Sequence, residues 1–312
     1  MMSTTHMDSV KFLQHMHNQL SIIGEDISLK EEYYYCPICQ KEVLKDNFKI
    51  VLSKEHVPQE KLGGKIRLLT CRQCNSKCGH NIDGDLINYI ISLEQNDFLP
   101  QTDRNVFICN GEQRLNAKLK INSHSDIQLQ VPIKNNNPKL ITEYQQNILL
   151  PNEIINIKNK NLKINDRKVS SAIIKNAYLL LFARTGYTFL FDSFYNVLRK
   201  QILDPEPYYL PERLWTILPQ NMFLPNDIYI TTDNRMRGFF VVYTLKIRTI
   251  HKVCVLIPTP KVEYLSAAYE LRKIQHGSIL PLWSPPKNMD FINNQQDIER
   301  LRNWCYGWNK II

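Results

Sequence analysis

Four of the eight cysteines in this 312-residue chain occur as two C-x2-C pairs, Cys36 and Cys39 in CPIC and Cys71 and Cys74 in CRQC. Two thiolates that are two residues apart on a tight turn can both bind one tetrahedral zinc ion, and a second pair completes its shell. Because four thiolates leave no open position for water, the spacing predicts a structural zinc site. Such a metal would stabilise a block that is too short to bury a large core.

The stretch between the two pairs, LSKEHVPQEKLGG, contains a carboxylate next to an imidazole, Glu55 and His56, and Asn75 directly follows the second pair. If zinc clamps a strand pair against the following helix, these side chains come close together. Carboxylate and amide oxygens are ligands that Mg²⁺ accepts, and a neutral imidazole can take a proton from water near neutral pH. The three residues therefore suit a single hard cation beside a base. Without the cysteines, the Glu-His pair would indicate only a strand end.

The combined pattern CPIC, LSKEHVPQEKLGG and CRQCNSKCGHNID, within residues 33–90, resembles the HNH endonucleases, which have the ββα-metal fold. It is most similar to the variant with a Glu-His pair, a Gly-Gly turn and an Asn in place of the last histidine. The resemblance implies that His56 is the general base for attack on a phosphodiester, that Glu55 is the acidic ligand of a catalytic Mg²⁺ or Mn²⁺ ion, and that Asn75 is a further ligand. It also implies that the four cysteines are the structural zinc knuckles of the family.

The chain departs from the family pattern before and after the second cysteine pair. KIRLLT lacks the Asn that many members carry there, and residue 75 is Asn where the commonest pattern has His. Asp83 matches an Asp that often follows the glycine in this variant, so it is a further candidate ligand of the catalytic metal, although capping of the next helix explains it equally well. His80 is interpreted as a polar loop residue.

Basic side chains outnumber acidic ones by 39 to 30, and the pI is about 9.0. The surplus favours a polyanionic partner, DNA or RNA, but a solvated basic surface explains it equally well. Phosphate contacts by a basic face would weaken steeply with salt. The candidate nucleic-acid-binding residues around the motifs are Lys54, Lys61, Lys65, Arg67, Arg72 and Lys77.

The composition, with 43% hydrophobic and 22% charged residues, is typical of a globular protein. No apolar run reaches the roughly 18 residues that a membrane-spanning helix needs, so no membrane partner is expected. The N-terminal sequence lacks the pattern of a secretory signal, and the expected location is the cytoplasm. In that compartment eight cysteines favour metal binding or free thiols over disulfides.

Hydrophobic periodicity predicts the elements that position the cysteine-framed motifs. Two strands are expected over 48–53 and 65–70, with a Gly-Gly turn before the second. A helical pattern follows CRQC, with Gly79 ending a first short helix and Asp83 capping a longer one. Glu55 and His56 are therefore expected just after a strand.

The remaining sequence predicts a larger α+β domain with antiparallel strands. Its expected elements are a helix at 9–20 before the cysteines, strands and hairpins over 104–133, a turn or loop at 135–138, an exposed hairpin or linker over 156–166, a helical pair over 170–202 broken at Gly186, strands in RGFFVVYTLKI and HKVCVLIPTP, and helices in EYLSAAYELRKI and DIERLRNWCYGW. Trp304, Tyr306 and Trp308 are interpreted as core residues rather than as a stacking surface for bases.

The predicted fold class is thus α+β, with three consecutive segments: a helical extension over 1–32, a zinc-stapled ββα-metal domain over 33–97, and an α+β domain over 98–312. The predicted function is metal-dependent endonucleolytic cleavage of DNA. The alternative is a zinc-stapled nucleic-acid-binding module that has lost cleavage; the Glu-His pair and the Asn favour the enzyme, because a binding module has no need of them.

The expected biological setting rests on analogy with nuclease modules that are joined to sensing domains. Restriction or anti-phage defence is the setting that this analogy favours, with a homing-type nuclease as another. The larger domain would then bind the target, sense a signal or contact a partner protein. Cleavage of both DNA strands with one site per chain would favour a homodimer.

Overall fold

The structure is a computed structural model, and the elements below are numbered in chain order. The residues that it describes are 8–23, 33–95, 99–110, 113–124, 126–148, 156–189, 191–211, 214–222, 224–231, 233–274 and 282–307. The helices within them are α1 (Ser9–Ile23), α2 (Phe48–Val51), α3 (Arg72–Cys78), α4 (Gly84–Glu94), α5 (Pro138–Ile148), α6 (Asp166–Thr185), α7 (Asn196–Leu203), α8 (Tyr264–Ile274) and α9 (Gln295–Cys305). The strands within them are β1 (Tyr33–Tyr35), β2 (Glu42–Leu44), β3 (Leu52–Val57), β4 (Lys65–Cys71), β5 (Thr102–Asn110), β6 (Gln113–Ile121), β7 (Ile127–Gln130), β8 (Asn156–Asn159), β9 (Trp215–Ile217), β10 (Asp227–Thr231), β11 (Gly238–Lys246), β12 (Ile250–Pro258) and β13 (Leu282–Trp283).

All strand pairings among the described residues are antiparallel, which confirms the predicted α+β class. In the cysteine-framed block, β1 pairs with β2, and β3 pairs with β4 before the chain enters α3. The second predicted strand is confirmed. The first is wrong over 48–51, which form the single turn α2, since a short apolar run does not distinguish a strand from a helix. As a result, Glu55 and His56 lie within β3 rather than after it.

The helical run after β4 continues through Gly79, so the predicted helix stop there is wrong. Gly79 has a φ of −56°, in the right-handed helical region, and Gly79–Asp83 form a π-helical turn between α3 and α4. A glycine weakens a helix without forcing it to end. The capping role expected for Asp83 is also wrong, because its carboxylate instead bonds to Lys175 and Gln59.

Helix α6 occupies the core and is buried on all sides from residue 171 to residue 182. Such a helix is typical of a central position in a fold. The Asn165 side chain caps its first turn by accepting hydrogen bonds from the backbone N–H groups of Arg167 (3.0 Å) and Lys168 (3.3 Å). The helix ends at Gly186, which has a φ of 59°. The predicted helical pair with a break at this glycine is therefore confirmed.

Helix α1 closes the C-terminal end of α6 through the buried Gln19. Its Nε2 donates to the carbonyls of Thr185 and Phe291, both at 2.8 Å, and its Oε1 accepts from the Tyr187 N–H at 2.7 Å. A Cβ at Gly186 would lie 1.9 Å from Gln19 Oε1, so the glycine permits this close approach as well as the positive φ. The predicted leading helix is confirmed.

A five-stranded sheet in the order β13-β10-β11-β12-β9 covers α6. Tyr243 of β11 donates a hydrogen bond to the Ile173 carbonyl of α6 at 2.9 Å. On the other face, Phe240 and Val242 form a core cluster with residues of α8. Burial on both faces explains the continuous apolar run of this strand. The predicted strands and the helix that follows them are confirmed.

Helix α9 docks on this assembly through Trp304. Trp304 is 2% exposed and its ring centroid lies 5.5 Å from that of Phe239, so its interpretation as a core residue is confirmed. Tyr306 is half-buried and its hydroxyl bonds to Asp192. Trp308 lies outside the described residues, as do residues 24–32 of the predicted helical extension.

The chain divides into two compact units that do not follow chain order. The first contains residues 1–90 and 164–312, and the second contains residues 91–163. This division differs from the consecutive domains predicted from the sequence, because the second unit is inserted into the first. The first unit therefore contains both the cysteine-framed block and α6.

The second unit is a four-stranded sheet, in the order β7-β6-β5-β8, with α5 packed on it. The strands predicted over 104–133 are confirmed, and part of the expected hairpin or linker is the edge strand β8. Helix α5, which begins at Pro138, was not predicted; proline suits the first helical position because its fixed φ matches the helix. Among the helices in the described part of the chain, none is long and apolar enough to cross a membrane.

Candidate active site

The two cysteine pairs lie on turns at the ends of the two hairpins. After β1, the N–H of Cys36 bonds to the Lys41 carbonyl at 3.0 Å, and the N–H of Gln40 bonds to the Cys36 carbonyl at 2.8 Å. At the end of β4, the Cys71 sulfur accepts a hydrogen bond from the N–H of Cys74 at 3.4 Å in the first turn of α3. Each pair can therefore direct both of its sulfurs to one point.

The four sulfurs of Cys36, Cys39, Cys71 and Cys74 all lie within 4.8 Å of one another. The Cys39 and Cys71 sulfurs are 3.7 Å apart, and tetrahedral zinc with bonds of about 2.3 Å would separate its sulfurs by about 3.8 Å. The cluster therefore fits the predicted zinc ion. Cys78 is buried outside it, and burial raises the pKa of the Cys78 thiol to about 12.

The close approach of the four sulfurs changes the pKa of each thiol. Hydrogen bonding with Cys36 lowers the pKa of Cys39 to about 7 and also lowers the pKa of Cys71. The pKa of Cys36 is raised by its hydrogen bond with Cys39, and the pKa of Cys74 is raised by its hydrogen bond with Cys36. Zinc binding would release the remaining protons, because the thiolate is the metal ligand.

Two tyrosine hydroxyls hold the knuckles in place, one from within the cysteine-framed block and one from α6. Tyr34 donates to the Leu69 carbonyl of β4 at 2.5 Å, and Tyr178 of α6 donates to the Pro37 carbonyl at 2.8 Å. Arg199 in turn donates to the Tyr178 hydroxyl at 3.2 Å. Burial raises the pKa of both tyrosines, so they remain protonated donors. Helix α6 thus positions the first knuckle directly.

Glu55 is buried against α6 and takes part in an ion network. Its Oε1 accepts from Lys175 Nζ at 3.2 Å, and its Oε2 accepts from Thr70 Oγ1 at 3.0 Å. Lys175 Nζ is also 2.9 Å from the Asp83 carboxylate. Glu55 is 3% exposed, Asp83 is 8% exposed and Lys175 is fully buried. The structure therefore brings together two of the predicted metal ligands, and a lysine is bonded to both.

Two amide side chains extend this network. Gln59 donates from Nε2 to Asp83, and Asn176 donates from Nδ2 to Gln59 Oε1 at 3.3 Å. Burial by itself lowers the pKa of Lys175, but the charges of Asp83 and Glu55 raise it, and the net result is a raised pKa. The lysine is therefore an ammonium ion at neutral pH.

His56 belongs to the other, more exposed side of β3. Side chains alternate along a strand, so His56 is on the opposite face from Glu55. The pairing with β4 shifts between these two residues, and Arg67 is the extra residue on β4. His56 is half-buried, and its imidazole makes no hydrogen bond with the residues that the structure describes. Among these residues, no protein group therefore occupies the ring nitrogens.

Asn75 attaches α3 to β3 at Ser53 and Lys54, which precede His56 in the strand. Its Nδ2 donates to Ser53 Oγ at 3.1 Å and to the Lys54 carbonyl at 3.3 Å. Within the described part of the chain its Oδ1 accepts no hydrogen bond. His80 lies in the π-helical turn rather than in the predicted loop, and its Nδ1 donates to the Ser76 carbonyl at 2.7 Å.

Lys54 and Arg72 line a groove of about 1040 Å³ between α1 and the segment formed by α2 and β3. Lys45 and Lys49 add two further basic side chains to this groove, and Asp46 is its acidic one. Arg72 donates to the Lys49 carbonyl at 3.0 Å, which holds its guanidinium at the groove. The apolar residues that line the groove include Val10, Leu13, Phe48, Leu52 and Leu69.

The other candidate nucleic-acid-binding residues lie elsewhere. Lys65 and Arg67 line a smaller cavity of about 230 Å³ together with Lys246, and burial lowers the pKa of Arg67. Lys61 and Lys77 are exposed and line neither of these two cavities. The six predicted nucleic-acid-binding residues are therefore divided among the groove, the smaller cavity and exposed positions outside both.

Residues 36–90 match the HNH endonuclease family. These residues, called the HNH segment below, include both cysteine pairs and the β3-β4-α3 unit, so the predicted resemblance is confirmed for this part of the chain. No curated protein and no solved structure matches the chain significantly. The match supports a nuclease type of function at the level of the domain, with a nucleic acid as the implied substrate class.

The sequence reasoning missed Lys175, and it missed Thr70 and Gln59, which donate hydrogen bonds to the two carboxylate partners of the lysine, Glu55 and Asp83. A signal for the lysine was present, because Lys175 is the one charged residue in the apolar run SAIIKNAYLLLF. A charge within a buried helix requires a partner of opposite charge. Its partners could not be named from the sequence, because Glu55 is 120 positions away.

Proposed function

We propose that this protein is a nuclease that hydrolyses phosphodiester bonds in DNA at its HNH segment. The proposal is carried by the zinc-fitting ββα unit, which holds His56 with no hydrogen-bond partner among the described residues and which bonds Asn75 to the Lys54 backbone of the same strand. A half-exposed imidazole on a rigid strand is suited to general-base catalysis.

His56 is the general base in this proposal. It takes a proton from a water molecule while the water oxygen forms a bond to phosphorus. The bond between phosphorus and the 3′ oxygen breaks, and the leaving oxygen takes a proton from solvent. General-base assistance of this kind accelerates a reaction by about 10²–10⁴-fold.

The HNH resemblance also implies a catalytic Mg²⁺ or Mn²⁺ ion, with Glu55, Asn75 and Asp83 as its ligands. The open Oδ1 of Asn75 suits such an ion. The two carboxylates do not fit, because both are bonded to the buried Lys175 ammonium and accept further hydrogen bonds. We therefore assign no step to a metal ion held by this pair.

The groove beside β3 supports DNA as the substrate. Its four basic side chains can bind phosphates, and its apolar floor can contact bases. Ser53, whose hydroxyl accepts from Asn75, also lines the groove. A strand bound there would pass Lys54, two positions before His56 in β3, and the Ser53 hydroxyl that Asn75 contacts.

A plasmid-cleavage assay with zinc-loaded protein, in the absence and presence of Mg²⁺ or Mn²⁺, tests the proposal. We expect His56→Ala to lower the cleavage rate by about 10²–10⁴-fold while DNA binding is retained. His80→Ala is the matched control, since this histidine is exposed and bonds only within its own helix; it should cleave like the wild type. Cleavage that survives His56→Ala would disprove the mechanism.

The alternative, a zinc-stapled DNA-binding module without cleavage, is favoured by one observation. Glu55 and Asp83 are already neutralised in part by Lys175, as expected of a site that has lost its catalytic metal. A protein that shifts DNA in a gel and cleaves none under any metal condition would establish this alternative.

A further inference from the structure

Lys175 provides a positive charge to the HNH segment from outside it. The residue belongs to α6, beyond the matched range 36–90, and its Nζ lies 3.2 Å from Glu55 Oε1 and 2.9 Å from the Asp83 carboxylate. Its side chain is fully buried. A buried ammonium is stable only where its charge is compensated, and here two carboxylates compensate it.

The surrounding hydrogen bonds leave little capacity for another cation. The second oxygen of Glu55 accepts from Thr70 at 3.0 Å, and Asp83 accepts from Gln59. Gln59 is itself held by Asn176 at 3.3 Å. A divalent ion at the pair would have to displace these donors and the ammonium, because two cations about 3 Å apart repel strongly in a buried site.

We propose that the Lys175 ammonium is the resident cation of the Glu55–Asp83 pair and takes the place there of a divalent metal ion. The one positive charge orients both carboxylates from α6, so the pair is a fixed part of the core and does not face the substrate. The consequence of this proposal for catalysis rests on the proposed nuclease function. Any divalent ion that cleavage requires then binds without Glu55, for example at the open Oδ1 of Asn75.

Mn²⁺ binding to the full-length, zinc-loaded protein tests the proposal without DNA. Isothermal titration calorimetry should give the same Mn²⁺ binding for the wild type and for Glu55→Gln. Lys175→Met leaves two carboxylates uncompensated, so this variant should gain a Mn²⁺ site at least tenfold tighter than any in the wild type. The gain should disappear in Lys175→Met combined with Glu55→Gln, and Mn²⁺ should raise the Tm of Lys175→Met alone.

Lys168→Met is the matched control, because Lys168 is on the same helix but pairs with Glu206 at 3.6 Å near the surface. It should bind Mn²⁺ like the wild type. The proposal is overturned if Lys175→Met folds without gaining a Mn²⁺ site, or if Glu55→Gln removes Mn²⁺ binding from the wild type. If Lys175→Met does not fold even with Mn²⁺, the proposal is tested by comparing Mn²⁺ binding by the wild type with Mn²⁺ binding by Glu55→Gln. Since no cleavage is measured, failure here is distinct from failure of the His56→Ala test.

Discussion

At the scale of single residues, Gly64 holds the loop after β3 in a conformation that allows no side chain. A Cβ at Gly64 would lie 1.5 Å from the Pro58 carbonyl oxygen and 2.4 Å from its carbon. The N–H of Gly64 also bonds to the Gln59 carbonyl at 3.2 Å. Because the Gln59 side chain donates to Asp83, this glycine helps to place one donor of the buried ion network.

We therefore expect Gly64→Ala to lower the free energy of unfolding by about 3 kcal/mol, since the new methyl group meets backbone that cannot move away. Gly79→Ala is the control, because Gly79 is exposed and helical, and a methyl group there would meet no other part of the protein within 4 Å. That change should stabilise the protein by about 0.5–1 kcal/mol. Urea unfolding measures the change in the free energy of unfolding for both variants. Equal changes in the two variants would contradict the packing argument.

At the scale of elements, the cysteine cluster joins two short hairpins that have little core of their own. β1 and β2 have three residues each, and the first knuckle follows β1 while the second links β4 to α3. A two-stranded hairpin is marginally stable by itself. The zinc ion would therefore hold β3 and α3 in the arrangement that brings Asn75 to the backbone of Lys54.

Cys74→Ser, or removal of zinc by a chelator, should therefore unfold the HNH segment. The expected loss in the free energy of unfolding exceeds about 5 kcal/mol, since structural zinc contributes about 10–16 kcal/mol to small zinc-binding peptides. Metal analysis should find about one zinc per wild-type chain and none in the variant, with a lower Tm. The control is Cys109→Ser, at a buried cysteine outside the cluster, and this variant should keep the zinc. An unchanged Tm in Cys74→Ser would refute a structural role for the zinc ion.

At the scale of the whole molecule, a net charge of +9 favours association with a polyanion. The structure divides the basic residues of the HNH segment between a groove, a smaller cavity and open surface. Of these three places, the groove combines several cations with an apolar floor next to Asn75. It is therefore the surface where charge would contribute most to binding DNA.

The double variant Lys54→Gln/Arg72→Gln should weaken DNA binding and reduce its salt dependence. Each lost phosphate contact lowers the slope of log K against log salt by about 0.9, so the slope should fall by about 2. Lys61→Gln/Lys77→Gln removes the same charge from exposed positions outside the groove and should change the slope less. Fluorescence anisotropy over a salt series checks this, and equal slopes for the two double variants would exclude the groove.

Local patterns in the sequence were sufficient for much of the fold. The C-x2-C spacing predicted a cluster with zinc geometry, because a tight turn alone places two sulfurs side by side. Gly186 predicted the end of α6, because only glycine readily adopts its positive φ. The strand over 48–53 was misassigned at its start, since the four residues of α2 carry no periodicity that separates a turn of helix from a strand.

The sequence by itself determined the four-cysteine cluster, the ββα order of the HNH segment and the presence of Glu55, His56 and Asn75 within it, because all of these follow from short-range spacing. Only the tertiary structure decided the surroundings of each of the three. Packing of α6 against β3 places Lys175 on Glu55 across 120 positions of the chain and leaves His56 on the more exposed side. Which charge neutralises a buried carboxylate depends on the helix that packs over it, and residue spacing within the HNH segment carries no information about that helix.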